Sequence, residues 1–103
     1  MKALVLTANS KLELKDIPKP QIREGELLIR VKAVGICGSD IHGFDGKTGR
    51  RVPPIIMGHE LAGEVAEVGA NSAFRVGDRV TVHPTIFCGD CEACRKEQGL
   101  FRC

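Results

Sequence analysis

The chain reads as a mostly β domain, a small barrel or sandwich with a cysteine-bearing lobe and little helix. Three observations predict this. Apolar and charged residues alternate over short stretches, as on strands with one buried face. Glycine and proline punctuate those stretches at close intervals, as they do in antiparallel β architectures. Four of the five cysteines fall within residues 88–103, too close together to belong to the main core.

Taken in order, Lys2 to Ala8 and Lys11 to Ile17 read as an opening hairpin, with turn residues Asn9-Ser10 between them and Leu12 and Leu14 alternating with Glu13 and Lys15. Pro18 and Pro20 break the pattern, and Glu24-Gly25-Glu26 supplies the next turn. Leu27 to Val34 is the clearest strand, with Leu27, Ile29, Val31 and Ala33 on one face and Arg30 and Lys32 on the other. Leu61 to Val68 and Arg79 to His83 are further strands, separated by turn signals at Asn71-Ser72 and Val76-Gly77-Asp78. Helix is expected only as one turn capped by Ser39 or Asp40 and as a short piece around Glu92 to Glu97. No repeat or low-complexity segment interrupts this plan.

At 103 residues the chain is one domain, 1–103, of a size that buries roughly 60–70% of its unfolded surface. Fifteen basic residues against thirteen acidic ones give a net charge of +2, with the signs interspersed, which argues against a nucleic-acid partner. The longest apolar runs are too short to span a membrane or to form the core of a signal peptide, so a cytoplasmic location and no membrane partner are expected.

An odd cysteine count rules out a fully paired disulfide framework and favours metal or catalytic roles. Cys88-Gly-Asp-Cys91-Glu-Ala-Cys94, with Cys103 following after eight intervening residues, has the two-residue gaps that place successive sulfurs around one ion, as in a structural zinc site. An iron–sulfur cluster or thiol redox centre is the rival reading, although its fourth cysteine would be expected sooner and followed by proline.

The remaining cysteine stands in Cys37-Gly38-Ser39-Asp40-Ile41-His42, delivered just past the clearest strand, with Gly58-His59-Glu60 further on. A thiolate, an imidazole and a carboxylate form the donor set of a catalytic zinc that keeps one position open. Each has an ordinary alternative: Cys37 as a buried structural thiol, His59 as a satisfied core histidine. Neighbouring side chains on a regular strand face opposite ways, so His59 and Glu60 reach one ion only if the backbone near Gly58 is irregular. Glu60 is therefore either a ligand or a group that orients a ligand from outside. On an extended stretch Ser39 would return to the side of the Cys37 sulfur; its alternative is a helix N-cap. His42 is either a proton carrier or a surface histidine. Asp40 is expected to bond the loop backbone, its alternative being a contact with the cofactor, and Asp78 and His83 are expected to be structural.

With Val76-Gly77-Asp78-Arg79-Val80 added, these motifs in this order resemble the N-terminal part of the zinc-dependent medium-chain dehydrogenases, above all their polyol branch of sorbitol, galactitol and threonine dehydrogenases. The resemblance implies a GroES-like β-barrel catalytic domain with a cysteine lobe at about 88–103. It also implies a catalytic zinc held in part by Cys37 and His59, with Glu60 as candidate third ligand, and a structural zinc held by Cys88, Cys91, Cys94 and Cys103. The lobe departs from the family in having eight rather than seven residues between its third and fourth cysteines.

Ser39 takes the implied role of bonding the substrate oxygen and receiving the alcohol's proton, and His42 that of passing it to water. The implied substrate is a small-molecule alcohol or polyol, oxidised to a ketone or aldehyde with hydride transfer to NAD(P), in a homo-oligomeric enzyme. No G-x-G-x-x-G fingerprint follows any strand, so the nucleotide is expected to sit on a domain absent from these 103 residues. The chain is thus expected to be part of a longer enzyme and inactive alone. The alternative from another class is a zinc-binding structural or interaction module without redox activity.

Overall fold

Lys2–Ala8 (β1) and Lys11–Asp16 (β2) pair antiparallel, with Leu4 opposite Leu14 and Leu6 opposite Leu12. The turn between them puts Ser10 at φ +61°, and its amide donates to the Phe44 carbonyl. A computed structural model of the protein describes residues 1–96. Within them the expected strands recur nearly to the residue. Leu27–Gly35 (β3) and Glu60–Val68 (β5) are each one residue longer than their periodicity predicts, β2 stops one residue sooner at Asp16, and Arg79–Thr81 (β6) ends two residues short of His83.

One strand escaped the sequence reading. Ile55–Ile56 (β4) follows Pro53-Pro54 and pairs with Val5 and Leu6 on the free edge of β1. The result is two three-stranded antiparallel sheets, ordered β2-β1-β4 and β3-β5-β6. This arrangement of strands with few helices is the mostly β, GroES-like architecture.

β1 lies between two partners and buries residues of both its faces: Ala3, Val5 and Leu6 join Val65 of β5 as the buried apolar core. The single alternation expected along β3 does not hold, because register shifts between Leu28 and Ile29 and between Val31 and Ala33 re-aim its side chains. Both sheets and the first helix wall an apolar cleft of about 560 Å³, lined by residues that include Leu4, Leu12, Val34, Ile41, Ile56 and Leu61. Asp40 and Gly58 also reach its wall, which places the candidate site beside the cleft.

Gly38–Phe44 (α1) follows β3, and Glu92–Arg95 (α2) lies among the clustered cysteines. The start of α1 corrects an expectation. Cys37, not Ser39 or Asp40, occupies the N-cap, because Asp40 three residues on reaches back with Oδ2 to accept the Cys37 amide at 3.2 Å. No helix among the described residues is long and apolar enough to cross a membrane.

Candidate metal and proton-transfer site

β3 ends at Gly35 and hands Cys37 to the N-terminus of α1, while β5 begins at Glu60, directly opposite Gly35. The antiparallel β3–β5 pairing therefore sets the Cys37 loop beside the His59-Glu60 pair. One donor atom from each of Cys37, His59 and Glu60 lies within 4.8 Å of the other two. A tetrahedral zinc with bonds of about 2.0–2.3 Å holds its ligands roughly 3.3–3.8 Å apart, so this group needs only small adjustments to close on an ion. Thiolate, imidazole and carboxylate are the donors zinc takes, and the three residues fit it on chemistry and spacing.

The irregular backbone that this convergence requires is present. Gly58 sits at φ +97°, a conformation L side chains rarely adopt, and a Cβ there would stand 2.8 Å from Val34 Cγ1. His59 thus precedes the regular strand instead of alternating within it, and both it and Glu60 turn to the same place. Gly35 completes the fit from the other strand, since a Cβ on it would meet Glu60 Oε2 at 3.0 Å.

Ser39 arrives by a route other than the expected one. It lies in the first turn of α1, not on an extended stretch, and its Oγ is 3.4 Å from His59 Nε2. Asp40 bonds the loop backbone, as expected, and also lies 3.3 Å from His59 Nδ1 through Oδ1. His42 is exposed on α1, and no hydrogen bond joins it to Ser39 among the described residues. Asp78 accepts the Arg75 amide in the turn before β6, and among the described residues His83 hydrogen-bonds with Thr85 alone, which fits their structural reading.

Arg51 is the residue that sequence reasoning missed. Its Nη2 lies 3.2 Å from Ser39 Oγ, 3.1 Å from Asp40 Oδ1 and 3.2 Å from His59 Nδ1. The Asp40 side chain is 12% exposed and that of Arg51 24%, so the pair is shielded far more than a free surface ion pair. The one signal for it in the sequence was Gly43, a glycine inside a helix, where some close approach is the usual reason.

In the lobe, the Cys88 and Cys94 sulfurs are 3.9 Å apart and those of Cys91 and Cys94 3.5 Å. Four thiolates on zinc at about 2.3 Å stand roughly 3.8 Å from one another, so these separations suit three ligands of one ion and are far longer than a disulfide bond. The Cys91 amide donates to the Cys88 sulfur at 3.3 Å, a contact that would favour the thiolate a metal requires. Cys103, the expected fourth ligand, and Glu97, the expected end of α2, lie outside the described residues.

A family model described as the alcohol dehydrogenase GroES-like domain matches residues 23–101, a span that contains every candidate ligand except Cys103. The chain belongs to the zinc-type medium-chain alcohol dehydrogenase family. Among the family's curated members, it is 48% identical over 100 residues to the sorbitol dehydrogenase of Bacillus subtilis strain 168, covering 93% of this chain and 28% of that enzyme. It is 41% identical over 104 residues to the L-threonine 3-dehydrogenase of Rhizobium etli strain CIAT 652, covering 96% of this chain and 30% of the relative. Among solved members, the alcohol dehydrogenase TADH from Thermus sp. ATN1 superposes with a TM-score of 0.82 at 35% identity, covering 96% of this chain and 29% of that one. The chain thus spans less than a third of the length of these dehydrogenases and corresponds to their GroES-like catalytic-domain region.

Proposed function

We propose that this chain supplies the zinc-binding and proton-handling half of the active site of a dehydrogenase that oxidises a small alcohol or polyol with NAD(P). The observation that carries the reading is the convergence of Cys37, His59 and Glu60 donor atoms within 4.8 Å of one another, with the Ser39 hydroxyl against His59. In this reading Cys37, His59 and Glu60 hold the catalytic zinc, and Cys88, Cys91, Cys94 and Cys103 hold a structural one. Bound zinc would supply Lewis acidity that stabilises negative charge developing on the substrate oxygen.

The chain's own residues do the rest. Ser39 carries one donor and two acceptor positions on its hydroxyl, so it bonds the substrate hydroxyl and accepts its proton. His42, exposed one helical turn further on, passes protons between Ser39 and solvent once substrate or water spans the gap. The apolar cleft beside Asp40 offers carbon-rich surface next to the polar groups of the site. Hydride acceptance falls to a nicotinamide held outside these 103 residues, in keeping with the fraction of the relatives that the chain covers. Polyols and threonine are the substrate classes suggested by the names of the relatives.

The test uses the natural full-length protein, purified with zinc and assayed for reduction of NAD⁺ and NADP⁺ with sorbitol, butanediol, galactitol 1-phosphate and threonine, alongside metal analysis. Zinc, with turnover of at least one substrate, is the expected result. Iron in place of zinc, or zinc without turnover of any of them, would overturn the proposal in favour of a redox cluster or a zinc-bound structural module.

A further inference from the structure

We infer that Arg51 is a positioning residue of this site, fixing the orientation of both the Ser39 hydroxyl and the His59 ring. The inference rests on the dehydrogenase reading above for its catalytic consequence, and on geometry alone for its effect on His59. Arg51 stands on the loop between α1 and β4, eight residues before His59 and twelve after Ser39, yet one of its nitrogens touches both.

Hydrogen counting assigns the contacts. Nη2 carries two hydrogens and meets three neighbours at 3.1–3.2 Å, so it donates to only two of them. The arrangement that satisfies every group gives one hydrogen to Asp40 Oδ1 and one to Ser39 Oγ. His59 Nδ1, 3.3 Å from Asp40 Oδ1, then keeps its own hydrogen directed at the carboxylate, which leaves Nε2 with its lone pair. That is the tautomer a metal-binding histidine needs.

Two consequences follow for the chemistry. With one acceptor position of Ser39 Oγ taken by Arg51, the hydroxyl cannot rotate freely, and its hydrogen and second lone pair are left for a substrate hydroxyl. Asp40 meanwhile takes the Cys37 amide on Oδ2 and Arg51 on Oδ1, so one ion pair ties the backbone of one ligand to the ring of another. A lysine carries its charge on a tetrahedral ammonium at the end of a shorter, flexible stem, so it reproduces this grip only in part.

The experiment compares the full-length protein with Arg51→Ala, Arg51→Lys and His59→Ala. Zinc release to a chelator, thermal melting, kcat and KM are measured for each. The phase of zinc release that His59→Ala abolishes identifies the ion at this site. Arg51→Ala is expected to speed that phase and lower kcat by roughly 10–100-fold, the range typical of residues that orient metal ligands. KM should change little, added guanidinium should restore part of kcat, and Arg51→Lys should fall between alanine and wild type. A release phase, kcat and KM all within about twofold of wild type would overturn the inference. If Arg51→Ala does not fold, Arg51→Gln is judged by the same two outcomes. A wild-type protein that binds zinc but oxidises no alcohol would overturn the dehydrogenase reading, and the release phase would still decide the role of Arg51.

Discussion

Arg51 reaches Ser39 and His59 because residue 43 has no side chain: a Cβ on Gly43 would stand 2.3 Å from Arg51 Cγ and 3.2 Å from its Cβ. These are the near atoms of the arginine stem, which cannot swing aside without moving the loop. Gly43 is also the buried residue of α1. Helix propensity alone would favour alanine there by about 1 kcal/mol, so the packing and the local preference point in opposite directions. Gly43→Ala is therefore expected to lower the melting temperature and to reduce kcat in the same sense as Arg51→Ala, with the double variant no worse than either alone. A Gly43→Ala protein that melts higher and keeps full activity would show that Arg51 has room to spare.

A second glycine controls the other side of the site. Gly58→Ala forces a Cβ toward Val34 at a φ of +97°, at a cost on the order of 1–3 kcal/mol for a non-glycine residue held in a sparsely populated region. The cheapest relief is for the backbone to turn toward regular strand, which would send His59 and Glu60 to opposite faces. The expected outcome is loss of the ion at the Cys37 site with retention of the one in the cysteine lobe. Two ions per chain in the Gly58→Ala protein would contradict this account of the convergence.

The role of Glu60 is separable by a substitution that keeps its size. Glu60→Gln preserves the packing against Gly35 and removes the charge. As a ligand, Glu60 contributes a formal negative charge to the ion, so the substitution should weaken zinc binding at this site by about 10-fold or more. Chelator competition measures it directly. Unchanged zinc affinity together with reduced activity would move Glu60 from ligand to orienting group.

Most strands of this fold were legible because they are apolar or alternating runs of five or more residues bounded by turn signals; β1 was read to its last residue at Ala8. β4 was not, since Ile55–Ile56 is two residues long and follows two prolines, so it exists only because the edge of β1 offers it partners. The helix start was misread because Ser39 and Asp40 outrank cysteine as N-caps on propensity, whereas here the carboxylate of Asp40 is used from the third helical position. That Cys37, His59 and Glu60 are candidate donors could be read from residue type and spacing, and the structure brings them within 4.8 Å of one another. Arg51 could not, because an arginine in a loop with a lysine, two glycines and a second arginine reads as solvated, and its contacts depend on a loop path that no short-range pattern encodes.

The two metal sites should also differ in what they contribute to folding. Among its described residues the cysteine lobe has one four-residue helix and no strand, so an ion held by Cys88, Cys91 and Cys94 would supply most of its order. The Cys37 site is assembled by β3 and β5, nine-residue strands that pair at eight positions of their own. Cys91→Ser is accordingly expected to unfold or aggregate the lobe and lower the thermal midpoint clearly, while His59→Ala removes its zinc with a much smaller shift. Chelation of the wild-type protein should show the same order, activity lost first and cooperative structure second. Closely similar melts for Cys91→Ser and His59→Ala would mean that the two sites share one role.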